Sequence, residues 1–291
     1  MTCALLYLVL FTSICLCEAN NELKVWTSSE KPRDFSELFE DQLAMAKSKI
    51  KYSHIELAHI PSNFAKVAAF WYYFLPVFQC PLAQRLPALA GDGPKYVCNV
   101  DIYRYASDCL IYSFGVSSVN ASVFDFALIK AFPHCEIHMF DHAPRVPFSS
   151  IDSVVAQIPN IHFHHIGLAS ARNRKHPKLK SLGELIEMLN HQERTIHALK
   201  IDIEGAEWKA LPAGIDEAKE LGVDILELQI ELHSPVSKVR HAVNWFKGIE
   251  RRGFLMYIMD PNFFCPHCME YAWIHESVGT GIYTGDLKSL L

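Results

Sequence analysis

An open α/β sheet, mainly parallel, about seven strands wide and covered by helices on both faces, is the fold predicted for this chain of 291 residues. Three observations predict it. From residue 109 onward, short apolar runs of strand length alternate with segments of helical apolar spacing. The segment Ala198 to Trp208, ALKIDIEGAEW, sets Asp202 and Glu204 at the end of an apolar strand, ahead of Gly205 and a helix opening at Glu207. Polar groups presented in this way at a strand's carboxyl end are how such sheets bind ligands. A hydrophobic fraction of 50% with 12% aromatics supplies a large core.

In chain order, Thr2 to Cys17 is nearly all apolar, and Cys17 and Ala19 place small residues ahead of a cut before Asn20. Residues 1–19 therefore predict a secretory signal peptide, or a short membrane anchor if retained, and the chain is expected in the secretory pathway, secreted or in a lumen. Residues 20–95 predict a helical extension, through the spacing of Phe35, Leu38, Phe39 and Leu43 and the aromatic cluster of Val67 to Phe78. The turn-rich stretch Pro81 to Pro94 then sets a boundary near residue 95. Beyond it, strands are expected at Cys109 to Ser113, Glu136 to Phe140, Ile161 to Ile166, Ala198 to Ile203, Ile225 to Leu232, Leu255 to Met259 and Tyr271 to His275. Helices are expected at Ser122 to Phe132, Ile151 to Ile158, Leu182 to Asn190, from Glu207, and at Val236 to Arg252.

Removal of the leader would leave Cys80, Cys98, Cys109, Cys135, Cys265 and Cys268, an even six in an oxidising compartment, which predicts one to three disulfides. Cys80 with Cys98 would close a loop around Ala90 to Pro94. The CxxC of Cys265 and Cys268 has no second pair, which argues against a zinc ribbon, and no metal is assigned. A net charge of −5 without a basic stripe excludes the electrostatic footprint of a nucleic-acid binder.

Four constellations carry chemistry. Tyr112 to Val116, YSFGV, followed by Ser117, Ser118 and Asn120, is a strand, a glycine turn and a helix start, with Gly115 where a Cβ would obstruct a ligand. Asp141 ends the next strand, where two carboxylate oxygens suit ribose hydroxyls. Asp202, Glu204 and Glu207 are three carboxylates in six residues, costly by self-repulsion unless they meet water, a cation or hydroxyl donors. Glu227, Gln229, Glu231 and His233 alternate at strand period; they either line a cavity near the carboxyl end, at Glu231 and His233, or form the wet face of an edge strand. Lining a cavity, Glu231 and His233 are candidates for general base or, with Asp202, for metal ligands.

With CLIYSFGV, CEIHMFD, IHFHHIGL, LKIDIEGAEW and ELQIELH in this order, the chain resembles the S-adenosylmethionine-dependent methyltransferases of the FkbM type, and more closely the animal methyltransferase-like protein twenty-four family. The resemblance covers about residues 95 to 275. It implies a class I, Rossmann-like methyltransferase domain over 96–291 and S-adenosylmethionine as cofactor. It places Gly115 at the cofactor loop, Asp141 on the ribose, and Asp202 and Glu204 near the methyl-transfer centre. Beside these, Ser113 and Ser117 are candidates toward the cofactor with Glu204, Asp202 is the favoured residue at the reacting centre, and Glu231 or His233 is the candidate base. The loop departs from the family in carrying Ser117 for a second glycine, and Asp141 is followed by His142 and Ala143 where Pro-Thr is usual.

The expected activity is methylation of a sugar or small-molecule hydroxyl, so the partners are a small-molecule or glycan acceptor and no nucleic acid, with a membrane only if the leader stays as an anchor. A non-catalytic secreted binding protein is the alternative, suggested by Ser117 and by the glycosylation sequon Asn120-Ala121-Ser122 inside the cofactor loop. A nicotinamide-dependent oxidoreductase lacks its glycine fingerprint here.

Overall fold

The computed structural model describes residues 39–40, 42–50, 68–88, 92–170, 176–233, 239–265 and 267–280. The leader expected at 1–19 lies outside them. In chain order they form a helix at residues 42–50 (α1), a 3-10 turn Ala68–Tyr73, β1 Gln84–Leu86, β2 Lys95–Val97, a single helical turn α2 Asp101–Arg104, β3 Leu110–Phe114, α3 Val123–Ala131 and β4 Glu136–Phe140. There follow α4 Phe148–Val155, β5 Ile161–His164, β6 Gly167–Leu168, β7 Leu179–Lys180, α5 Leu182–Leu189, β8 Thr195–Ile201, α6 Glu207–Glu220, β9 Asp224–His233, α7 Val239–Glu250, β10 Phe254–Pro261 and β11 Cys268–His275.

Among these, seven strands make one sheet in the order β10-β11-β9-β8-β3-β4-β5, parallel throughout except β11, which runs against both neighbours. This is the class I methyltransferase topology. Period-two alternation divides the core between the two faces. Leu110, Tyr112, Phe114, Leu199 and Ile201 pack under α5, α6 and α7, while Ile111, Ala198, Ile137 and Met139 pack under α3 and α4. The central strand β3 is buried at every position, which is why its sequence is a nearly continuous apolar run. Ends are set locally. Ser181 and Glu184 form a capping box at the start of α5, and left-handed Asn190 terminates it.

The region before residue 95 departs from the helical extension expected. Residues 84–97 hold the antiparallel pair β1–β2, and the aromatic cluster gives only the short 3-10 turn before Pro76. Phe35–Leu291 is one compact unit. Phe39, Leu43 and Phe78 pack on Leu226, Leu255 and Ile274 of the sheet. Buried Glu227 on β9 accepts hydrogen bonds from the Cys98 N–H (2.7 Å) and the Tyr103 hydroxyl. That contact settles the alternating polar row: β9 is central, between β8 and β11, and the residue 95–104 segment covers its polar face. Burial pushes the Glu227 carboxyl up to about 8 against its three hydrogen bonds.

Three disulfides join Cys80–Cys98, Cys109–Cys135 and Cys265–Cys268. The second staples the starts of β3 and β4 across a sequence separation of 26. Closing a loop of that length restricts the unfolded chain by about 3 kcal/mol. Replacing both of these cysteines by alanine is therefore expected to lower unfolding free energy by about that amount, measured by urea unfolding as a reduced midpoint with an m-value that does not fall and rises if the freed denatured chain exposes more surface.

Candidate active site

The strand order reverses at β3, with β8 on one side and β4 on the other, and ligand crevices in open α/β sheets lie outside the carboxyl ends at such a point. A cleft of about 760 Å³ occupies that position. Its walls come from the loops after β3 (Gly115, Ser117, Asn120), β4 (Asp141, Arg145) and β8 (Asp202, Glu204) and from the end of β9 (Glu231, His233), with Asn262 and Phe264 from the β10–β11 hairpin.

The floor is set by a backbone approach. Gly115 has φ +86°, and a Cβ there would lie 1.6 Å from the Asp202 carbonyl oxygen. Gly115 N–H donates to Phe140 O (3.0 Å) and Asp202 N–H to Phe114 O (3.1 Å), so three strand ends are tied together. Beneath them the buried Lys200 ammonium donates to the carbonyls of Phe114 (3.1 Å) and Gly115 (3.2 Å) and stands 3.9 Å from the Asp202 carboxylate.

Around Asp202 the charges are arranged in depth. Burial works against its ionisation, but Lys200, Lys95 and His233 outweigh that and hold the carboxyl below its ordinary value. Burial likewise opposes charge on His233, yet its Nδ1 donates to buried Glu207 at 2.9 Å, and Glu207, Asp202 and Glu231 together push it up to about 9. Glu231 is raised to about 8, first by burial and then by Glu270 and Asp202, against Lys95 and a hydrogen bond from Asn262 at 2.8 Å. Near neutral pH the set is thus ionised Asp202, protonated His233 and largely protonated Glu231, with Glu231 hydrogen-bonded to Asp202. Lys95, from β2, pairs with Glu270 and lies 3.8 Å from Glu231.

The chain matches a family model described as a methyltransferase domain over residues 28–275. The chain belongs to this family. It is 28% identical over 186 residues to the probable methyltransferase-like protein 24 of Homo sapiens, covering 56% of this chain and 47% of the human one, and equally identical to that of Rattus norvegicus. It thus spans about half the length of the curated relatives it matches, and they bear out the likeness to the methyltransferase-like protein twenty-four family. Among solved structures it is similar to Methanococcus jannaschii fibrillarin (17% identity, 60% of this chain and 68% of that one, TM-score 0.41) and to Aeropyrum pernix fibrillarin in complex with S-adenosyl-L-methionine (13% identity, 57% and 66%, TM-score 0.38).

In this methyltransferase domain the cleft brings together Gly115, Ser117, Asp141, Asp202 and Glu204 from three loops and Glu231 and His233 from the end of β9. Ser113 is not among its walls; it is fully buried within β3, toward Asp125 of α3, so its place as a cofactor residue is corrected. The obstruction at Gly115 comes from the Asp202 backbone rather than from a ligand, and the hydrogen bond to Glu207 favours the protonated form of His233. Glu204, with φ +57°, reaches outward to Arg145 (2.8 Å) across the cleft mouth. Lys95, Lys200, Glu270 and Asn262 were missed. Lys200 alone left a trace, a lysine in an otherwise apolar strand.

A methyl at Gly115 meets backbone that cannot move without separating β3 from β8. Gly115→Ala is expected to cost about 3 kcal/mol or more in thermal or urea unfolding. Gly205→Ala, also at positive φ (+102°) but with nothing within 4 Å of its Cβ position, is expected to cost about 1 kcal/mol.

Proposed function

We propose that the protein is an S-adenosylmethionine-dependent methyltransferase of the secretory pathway that methylates a hydroxyl of a sugar or small molecule. The observation that carries this is the meeting of the Gly115 turn, the Asp141 strand end and the Asp202–Glu231–His233 cluster in one cleft at the switch point. The fit to the cofactor rests on that geometry. Asp141 Oδ1 is taken by the Ala143 N–H (2.7 Å), which fixes the carboxylate at the β4 end and leaves its other oxygen for a ribose hydroxyl. The cleft volume lies in the range of small-ligand sites.

When bound, S-adenosylmethionine supplies an electrophilic methyl group on a sulfonium and leaves as the neutral thioether. The chain's work is alignment, exclusion of water and removal of one proton. Glu231, with its carboxyl near 8, is placed to take the acceptor's hydroxyl proton once it has lost its own, and Asn262 and Lys95 fix its orientation. Ionised Asp202 presents negative charge where positive charge must be held. Protonated His233, anchored on Glu207, offers Nε2–H toward Asp202 (3.7 Å) and Glu204 (3.5 Å). The secretory location is supported by the three disulfides and by the apolar leader in the sequence.

Calorimetric titration of the intact protein with S-adenosylhomocysteine tests the cofactor. Saturable binding is expected, weakened about 10- to 100-fold by Asp141→Ala, the loss of a hydrogen bond to a charged group; no heat at near-millimolar ligand sinks the reading. Transfer of labelled methyl into a secretory-pathway extract should rise with pH through about 8, as Glu231 ionises, and fall above about 9, as His233 loses its proton. Glu231→Gln should abolish transfer while leaving S-adenosylhomocysteine binding within about threefold.

The second reading, a non-catalytic secreted binding protein, is favoured by one observation: Asn120 of the sequon is exposed and lies on the cleft wall. If a glycan there blocks the site, protein purified from secreting cells should bind S-adenosylhomocysteine only after Asn120→Gln.

A further inference from the structure

Away from the cleft, on the sheet face under α5, the edge strand β5 and its neighbour β4 carry side chains that the methyltransferase reading does not use. Glu136 and His138 are two apart on β4 and so share a face, and His138 is paired in register with His162 on β5. We propose that Glu136, His138 and His162 form a binding site for a single zinc ion, separate from the methyltransferase cleft.

Three groups converge on one oxygen. His138 Nε2 lies 2.9 Å and His162 Nε2 3.8 Å from Glu136 Oε1, and the three donor atoms are all within 4.8 Å of one another. Zinc takes nitrogen at about 2.0–2.1 Å and carboxylate oxygen at about 2.0–2.2 Å, so tetrahedral ligands stand about 3.3–3.5 Å apart. The set must therefore close by about an ångström. His162 is half-exposed on an edge strand and closes that gap by side-chain rotation, whereas His138 is fixed in place. Solvent on the His162 side leaves room for a fourth, water ligand.

Arg194 grips the other Glu136 oxygen (2.8 Å) while its own charge is matched by Asp108.

An outer shell is also present. His138 Nδ1 lies 2.9 Å from His164 Nε2, in a stacked pair with ring centroids 5.1 Å apart. In the metal-free protein His138 donates Nε2–H to the Glu136 carboxylate, so His164 must donate Nε2–H to His138 Nδ1. Zinc on His138 Nε2 requires that proton to sit on Nδ1, donated to His164 Nε2, whose own proton moves to Nδ1. Both rings change tautomer and no net proton is released. A ligating histidine whose second nitrogen donates to a fixed acceptor is the arrangement metal sites use to orient the ring.

The test uses the full chain with its disulfides intact and no polyhistidine tag, titrated with Zn(II) against a chromophoric chelator. One equivalent is expected to bind with micromolar or tighter affinity and to raise the melting temperature. His162→Ala, an exposed-side change checked by an unchanged metal-free melting temperature, should weaken binding at least 100-fold. His233→Ala, in the cleft cluster with Asp202 and Glu231, should leave Zn(II) affinity within threefold. Co(II) bound to the wild-type chain should give the intense visible bands of a four-coordinate site, a readout independent of any variant. Absence of stoichiometric Zn(II) binding, binding unaffected by His162→Ala, binding lost instead in His233→Ala, or weak six-coordinate Co(II) bands would each overturn the assignment.

Discussion

The buried ammonium of Lys200 is the interaction on which the rest of the structure depends. It lies at the switch point of the sheet, donating to the Phe114 and Gly115 carbonyls, with the Asp202 carboxylate 3.9 Å away. A charge taken out of water costs several kcal/mol unless hydrogen bonds and a counter-charge replace its hydration. Here two carbonyls and one carboxylate do so, and each belongs to a strand end that forms the cleft floor. The same contact holds β3 and β8 in the register that drives the Asp202 carbonyl against Gly115. Position 115 is glycine because of this tertiary contact.

From that point the charges run outward in alternating sign. Lys200 and Lys95 keep Asp202 ionised; Asp202 and Glu270 raise Glu231; Glu207 and Asp202 keep His233 protonated. No member is explained by its own surroundings alone. Glu231 and His233 are two residues apart on one strand, yet one is a poised acid and the other a stable cation, because Glu231 faces carboxylates and His233 faces a carboxylate that it hydrogen-bonds.

The N-terminal segment completes this network instead of preceding it. Lys95 enters from β2, Cys98 and Tyr103 bind Glu227, and the Cys80–Cys98 disulfide holds the segment in place. Glu227 and Glu231 of this central strand, which would otherwise be buried without these partners, are thereby met by a part of the chain more than a hundred residues away in sequence.

The sequence by itself determined the sheet and the position of the cleft. Period-two and helical spacing are local properties, so the seven strands, the helices between them and the strand-end groups Gly115, Asp141, Asp202, Glu231 and His233 were all legible, with boundaries off by one to three residues. Only the tertiary structure decided what these groups do. The three-residue strands β1 and β2 carry no long apolar period and sit in and beside the turn-rich stretch Pro81 to Pro94, so sequence spacing does not reveal them, and Lys95 gives no sign of its role. Ser113 ends the strand expected from sequence, next to the cofactor loop, whereas in the structure it is fully buried within β3 and turned toward Asp125 of α3. Protonation of His233 and the obstruction at Gly115 depend on partners brought close by folding, and such distances are not written in spacing along a chain.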